Sequence, residues 1–506
     1  MPKVEIHAGG GKKVLTVSEK TPLSVITAPY GLPMPCGGNH TCGKCRVRAI
    51  GQLSPLSEEE KRLLTPQELA DGLRLACSAE ITGDCTVFLP ESGGAEQVLL
   101  SGAFQGAEAS GWGLAVDIGT TTLAAYACRD GEVVASAGQR NCQSPYGADV
   151  ITRIGANQPE LLHQLITKQV SELCQKVLGD AAAPKDVCRI VVTGNTTMLH
   201  FFRGYDPAPI AAAPFTPHSL FGETLPASQL LPAYENAELY LPPCISAYVG
   251  ADMVCAILSS RMGEKEETAL LADIGTNGEM ALWHKGELYA CSTAAGPALE
   301  GACIHMGMEA APGAIDRVTP GADGELCWHT IGEVPAKGLC GSGLISLINC
   351  LLQTGRMDET GALCDPEEAP DGSGEDCVLV GDSGVFLTQK DIRQVQLAKA
   401  AICAGIHTML EACRLSPEQV DTFYLCGGFG SYLEPESAAG IGLFPASLKD
   451  KVRVLGNAAG SGAAMLLSDK YRKTARKLCD QANLIELSAS PVFMEEYVEQ
   501  MSFETE

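Results

Sequence analysis

Residues 111–128, GWGLAVDIGTTTLAAYAC, return in altered form as residues 268–284, TALLADIGTNGEMALWH. Each copy is an apolar run of strand length that ends in Asp-Ile-Gly-Thr and is followed by a second apolar run. That pattern predicts a hairpin whose turn carries chemistry. The first turn is Asp117-Ile118-Gly119-Thr120-Thr121-Thr122. The second is Asp273-Ile274-Gly275-Thr276-Asn277-Gly278-Glu279, 156 positions further on. A lone turn of this kind says little, but the pair denotes an internal duplication and predicts two similar lobes facing one cleft.

Such a turn suits a phosphate. Glycine admits the anion to the backbone, threonine hydroxyls and amides donate to it, and aspartate holds Mg²⁺ directly or through water. Asp117 is therefore the candidate for Mg²⁺, with Gly119, Thr120 and Thr121 beside the phosphates. Asp273 is the candidate for orienting an attacking water, with Gly275, Thr276 and Asn277 around it. Glu279 has two readings, a carboxylate near the metal or a solvent-facing strand residue.

Each half also contains a later strand that runs into glycine. RIVVTGNTTMLH does so at Gly194 and Asn195, and VDTFYLCGGFGSYL does so at Gly427, Gly428 and Gly430, which are expected to border a nucleoside. GLCGSGLISLINCLL, residues 338–352, opens a helix with glycines. There Gly341 and Ser342 either add amides to a nucleotide or permit tight packing. Residues 387–410, LTQKDIRQVQLAKAAICAGIHTML, repeat apolar groups at helical spacing and predict a packed helix with a solvated polar face.

The N-terminal ninety residues have a different chemistry. PCGGNHTCGKC, residues 35–45, brings Cys36, Cys42 and Cys45 together, and Cys77 follows in RLAC. Gly37, Gly38 and Gly43 let the backbone wrap closely with amides turned toward sulfur. Four thiolates from one loop and one distant strand suit a [2Fe–2S] cluster. Zinc is the competing account, although its sites favour paired spacings of two to four residues. Cys85 reads as a core residue, with replacement of Cys77 as the alternative. No further cysteine group calls for a second cluster.

Composition narrows the setting. The chain has 506 residues, 22 cysteines and a formal charge of −25, which disfavours nucleic acid and anionic membranes as partners. Irregular cysteine spacing and an N-terminus without an apolar targeting segment are expected of a protein in a reducing cytoplasm.

The cysteine loop resembles the ferredoxin family with its β-grasp fold, and the five residues between Cys36 and Cys42 resemble the adrenodoxin-type loop. The two hairpins and glycine turns resemble the actin/hexokinase/Hsp70 superfamily. Together, with AAGPALEGACI and the stretches quoted above, they resemble the reductive activators of corrinoid proteins over nearly the whole chain. That resemblance implies an α+β β-grasp domain followed by a duplicated, two-lobed α/β ribonuclease-H-like ATPase. The expected divisions are residues 1–90 for the ferredoxin, 91–110 for a linker, 111–265 and 266–480 for the lobes, and 481–506 for a C-terminal extension. A middle domain found in longer members is expected to be replaced by the short linker.

The implied activity is ATP-dependent transfer of an electron from the [2Fe–2S] cluster to inactive Co(II), which restores Co(I) for methyl transfer. ATP, Mg²⁺ and the cluster are the implied cofactors. The implied partners are a corrinoid protein of a methyltransferase system, a separate reducing donor and a second copy of the chain. The alternatives are an ATP-driven donor to another metalloenzyme, such as a 2-hydroxyacyl-CoA dehydratase, and a nucleotide-gated redox-sensing module.

Overall fold

Val4 and Ile6 are buried between exposed or half-buried neighbours, so the first strand has one face on a core. The computed structural model describes residues 1–8, 11–32, 34, 36–89, 100–102, 109–321 and 324–504. Most of the expected linker, residues 91–99 and 103–108, lies outside them. The chain divides into two compact units. One comprises residues 1–95, 142–158 and 368–375, and the other holds the rest.

In the first unit the strands run in the order Gly11–Thr16, Lys3–Ala8, Glu80–Phe88, Arg46–Leu53, Leu73–Leu75. The N-terminal hairpin lies parallel to Glu80–Phe88, and the other pairings in this path are antiparallel. This is the mixed sheet expected of a β-grasp. Leu23 and Ile26, on the short helix Leu23–Thr27, join Val47, Leu75, Ile81 and Val87 in its core. Cys85 belongs to that core and is 6% exposed.

A buried ion pair fixes the far side. Ser57 opens the helix Glu58–Leu63 with a capping box, and this turns Glu60 inward. Its carboxylate accepts from Arg74 at 2.7 and 2.9 Å and from the amide of Leu75 at 3.1 Å. Two residues later comes Cys77.

The second unit contains two six-stranded sheets. In the first, Trp112–Ile118, Thr122–Arg129 and Glu132–Arg140 form an antiparallel meander. Val187–Gly194 and then Glu238–Leu241 continue the sheet in parallel on the other side. In the second, Ala269–Ile274, Gly278–His284 and Glu287–Thr293 repeat the meander, and Thr422–Cys426 and Val452–Val454 repeat the parallel strands. The same topology twice is the structural form of the sequence duplication. The first strands are apolar on both faces because helices or neighbouring layers cover both.

In each lobe the parallel strands are followed by a helix, Ala251–Ser260 in one and Ala458–Met465 in the other, and the two pack together. Small residues permit the approach. A Cβ at Gly462 would stand 2.0 Å from the carbonyl oxygen of Cys255, and one at Gly460 would meet the ring of Tyr126 at 2.4 Å.

The long helix Gln389–Ala412 differs from expectation. Thr388 and Asp391 cap it, but Asp391, Gln396 and Lys399 are buried, and only part of the polar face meets solvent. Asp391 accepts from the His305 amide at 2.7 Å, and for Gln396 and Lys399 the reason is the C-terminal segment. Helix Pro491–Glu499 packs on this helix, Gln396 donates to the carbonyl of Met501 at 2.8 Å, and Lys399 donates to that of Ser502. Lys399 also lies 5.1 Å from the centroid of the buried Phe503 ring. Strand Ala482–Leu484 extends the second sheet. Among the described residues no helix is long and apolar enough to cross a membrane.

Candidate functional site

Because Trp112–Ile118 and Ala269–Ile274 occupy equivalent places in the two sheets, Asp117 and Asp273 reach the same cleft from opposite lobes. The cleft has a cavity volume of about 180 Å³, and its lining is unusually acidic. Gly119, Thr120, Thr121, Gly275, Thr276, Asn277, Glu279, Gly427 and Gly428 line it with the two aspartates.

The remaining nucleotide candidates lie elsewhere. Gly341 packs beneath the cleft, where a Cβ would stand 2.0 Å from the Leu299 carbonyl and 2.6 Å from the Phe429 ring. Gly430 is buried behind Gly427 and Gly428. Ser342 faces a second cavity of about 290 Å³, with Asp316, Arg317, Ser346, Tyr432 and Glu434.

Four further side chains complete the acidic cleft: Asn195, Asp252, Glu300 and Asn457. Asn195 caps the helix Thr196–Arg203 and donates to the Thr120 hydroxyl at 3.1 Å. Thr276 donates to Glu300 at 3.1 Å. Asp252 and Asn457 sit at the starts of the helices Ala251–Ser260 and Ala458–Met465, each two residues or one residue past a glycine, Gly250 and Gly456. That shared position was a readable signal, a second and fainter duplication. Glu279 is 7% exposed and stands opposite Asp273 across the hairpin, so it is not solvent-facing.

Burial raises every carboxylate of the cleft. Burial pushes Asp117 up to about 7, with the charge of Asp273 adding to it and the Asn457 amide opposing. Burial and then Asp273 and Asp117 push Asp252 up to about 8. Asp273 is pushed up to about 6 by burial, against a hydrogen bond involving Cys426. Glu279 and Glu300 are raised from the same first cause. Such a cluster of hard oxygen donors favours a divalent cation. Among the described residues no three His, Cys, Asp or Glu side chains surround one ion-sized point.

In the other unit the thiols come in two pairs. Cys36 and Cys42 are in hydrogen-bonding contact, and Cys45 and Cys77 stand 3.3 Å apart. Within each pair one thiol is drawn down by its neighbour: Cys36 to about 4 by Cys42, and Cys77 to about 6 by Cys45. Gly37, Gly38 and Gly43 have φ of 59°, 87° and 63°, the left-handed region that lets the loop fold around the sulfurs. Two thiol pairs fit a two-iron cluster, one pair to each iron. Cys85 is held away in the core, and burial raises its thiol.

The chain is similar to known proteins along most of its length. Residues 6–82 match a model of the 2Fe-2S iron-sulfur cluster binding domain, residues 112–265 the RACo middle region, and residues 267–506 the C-terminal domain of RACo, the ASKHA domain. The middle region, expected to be replaced by a short linker, thus falls on the first lobe. The corrinoid activation enzyme RamQ of Eubacterium limosum is 32% identical over 421 residues, 76% of this chain and 69% of that one. The [Co(II) methylated amine-specific corrinoid protein] reductase of Methanosarcina barkeri is 28% identical over 354 residues, 63% of either chain. The solved structure of a reductive activator for a corrinoid, iron-sulfur protein superposes with a TM-score of 0.68 at 28% identity, covering 99% of this chain and 98% of that one. This chain belongs to the family of corrinoid-protein activators.

Proposed function

We propose that the protein uses ATP to drive one-electron reduction of a corrinoid protein, returning inactive Co(II) to Co(I). The observation that carries this is the union, in one chain of that family, of paired cluster thiols with a duplicated phosphate cleft. A [2Fe–2S] cluster would be held by Cys36, Cys42, Cys45 and Cys77 and would supply a one-electron carrier. One electron reduces one Co(II), so the balance needs one reducing equivalent per turnover from a separate donor.

In the cleft, Asp117 would hold Mg²⁺ through its waters, while Thr120, Thr121 and Thr276 donate to phosphate. Asp273 would orient the attacking water, with Glu279 and Asp252 completing the acidic wall. The nucleoside would pass Gly427 and Gly428 into the cavity of Ser342 and Tyr432, whose half-exposed ring offers a stacking face. Hydrolysis supplies the free energy that lets an electron move against its ordinary direction, through a change of state in the two lobes.

The test is anaerobic and optical. Reduced protein is mixed with a candidate Co(II) corrinoid protein, with ATP, without ATP, and with Cys42→Ala protein. Repeated Co(I) formation that needs both ATP and the intact cluster is the expected result. Hydrolysis with no change in any corrinoid protein would move the electron's destination to another metalloenzyme.

A further inference from the structure

The segment Cys142–Gln158 belongs to the same compact unit as the cysteine loop. It touches that loop directly after its first cysteine. A Cβ at Gly37 would stand 3.4 Å from the Thr152 carbonyl oxygen, 3.5 Å from the Thr152 Cβ and 3.7 Å from the Tyr146 carbonyl oxygen. The residue after Thr152 is Arg153, which is 0% exposed and among the largest fully buried side chains of the described residues.

Arg153 shapes the segment from inside. Its Nε and Nη2 donate to the Gly147 carbonyl at 3.2 and 2.7 Å, and its Nη1 donates to Gln143 Oε1 at 3.4 Å. Gly147 has φ of 141°, and a Cβ there would lie 2.6 Å from the Arg153 amide. Asp149 caps the short helix Val150–Gly155 that carries Arg153, with its Oδ1 accepting from Thr152 at 2.8 Å. The turn that presents Tyr146 and Thr152 to Gly37 is therefore built around a guanidinium.

We infer that Arg153 is a positioning residue for electron transfer: it holds the 143–152 turn against the cluster loop and, as a buried cation, raises the reduction potential of the cluster. The physical case is simple. A cluster in thiolate ligation is anionic and gains one more negative charge on reduction. A cation fixed in the poorly screened interior nearby favours the more negative state. The guanidinium keeps its charge at neutral pH even though burial draws it down to about 10, because Cys142 and Asp149 oppose that.

This rests on the cluster reading above, and the experiment separates the two. Full-length wild-type, Arg153→Gln, Arg153→Lys and Gln143→Glu proteins are loaded with the cluster and titrated with a low-potential reductant, followed by EPR. Arg153→Gln is expected to shift the equilibrium at least tenfold toward the oxidised form, about 59 mV for one electron. Gln143→Glu keeps the arginine in place and sets a carboxylate against it, so it should shift the potential the same way should Arg153→Gln not fold. Arg153→Lys should retain most of the wild-type value. Intact clusters with unchanged potentials in both charge-altering variants would overturn the inference. A wild-type protein that binds no such cluster would instead overturn the cysteine assignment on which it depends.

Discussion

Asn457 donates from Nδ2 to Asp117 Oδ2 at 3.1 Å across 340 positions of sequence. The Asn457 side chain also caps the helix Ala458–Met465 by accepting from Gly460, so one amide joins that helix to the first phosphate turn. A hydrogen bond to a charged group is worth about 1.5–3 kcal/mol. Asn457→Ala should therefore lower kcat/KM for ATP hydrolysis by about 10- to 100-fold. Steady-state ATPase kinetics with the folded variant check this; an unchanged value would remove Asn457 from the site.

The cysteine assignment separates residues that sequence spacing leaves in competition. Cys77→Ala should abolish the visible absorption of the cluster, since Cys77 pairs with Cys45. Cys85→Ala should keep that absorption and cost about 1–2 kcal/mol of stability, because it only empties a core position. Loss of the spectrum in Cys85→Ala with retention in Cys77→Ala would reverse the assignment.

The buried pair of Glu60 and Arg74 predicts a pH dependence. Burial works against the Glu60 charge, yet the Arg74 fork and the amides of Ser57 and Leu75 outweigh it, so its carboxyl titrates below the ordinary range. The stabilisation is complete above the unfolded value of about 4.3 and is lost as pH falls from there through the folded value. Acid-induced release of the cluster should therefore steepen below about pH 4.3. Glu60→Gln should release it more readily at pH 7, by about 3 kcal/mol in unfolding experiments, with a flatter acid limb.

Two adjacent glycines should respond differently. Gly427 has φ of 88°, and a Cβ there would stand 2.3 Å from Asp273 Oδ1. Gly427→Ala should lose both stability and ATP hydrolysis. A Cβ at Gly428 meets nothing within 4 Å. Gly428→Ala should fold as the parent does yet raise the KM for ATP about tenfold, because that open space is where the nucleoside is placed. An unchanged KM in folded Gly428→Ala protein would move the nucleoside away.

Asp117 and Asp273 were legible because each ends an apolar run in the same four residues. Asp252 and Asn457 were harder to see. Their helices share little beyond a preceding glycine, and only the packing of the two helices brings them to the phosphate turns. Glu300 sits in a stretch quoted for its resemblance, but its bond to Thr276 depends on a turn with no regular period. The burial of Lys399 and Asp391 escaped the helical pattern for another reason. Periodicity marks the apolar stripe, whereas Lys399 is covered by the C-terminal segment and Asp391 by the His305 amide, both far away in sequence. Arg153 was invisible for the same reason. A lone arginine beside an aspartate reads as surface, and nothing local announces that Gly37 lies against its neighbour.

The contact of Gly462 with the Cys255 carbonyl places two backbones almost in touch where the helices Ala251–Ser260 and Ala458–Met465 cross. Bulk cannot enter there, and withdrawal would expose the small-residue faces that meet. Asp252 and Asn457 stand at the starts of the two helices that meet there, so the closeness of this crossing also sets how near the two ends of the acidic cleft lie. Gly462→Val should push the two helices apart and lower the melting temperature, which thermal unfolding reads.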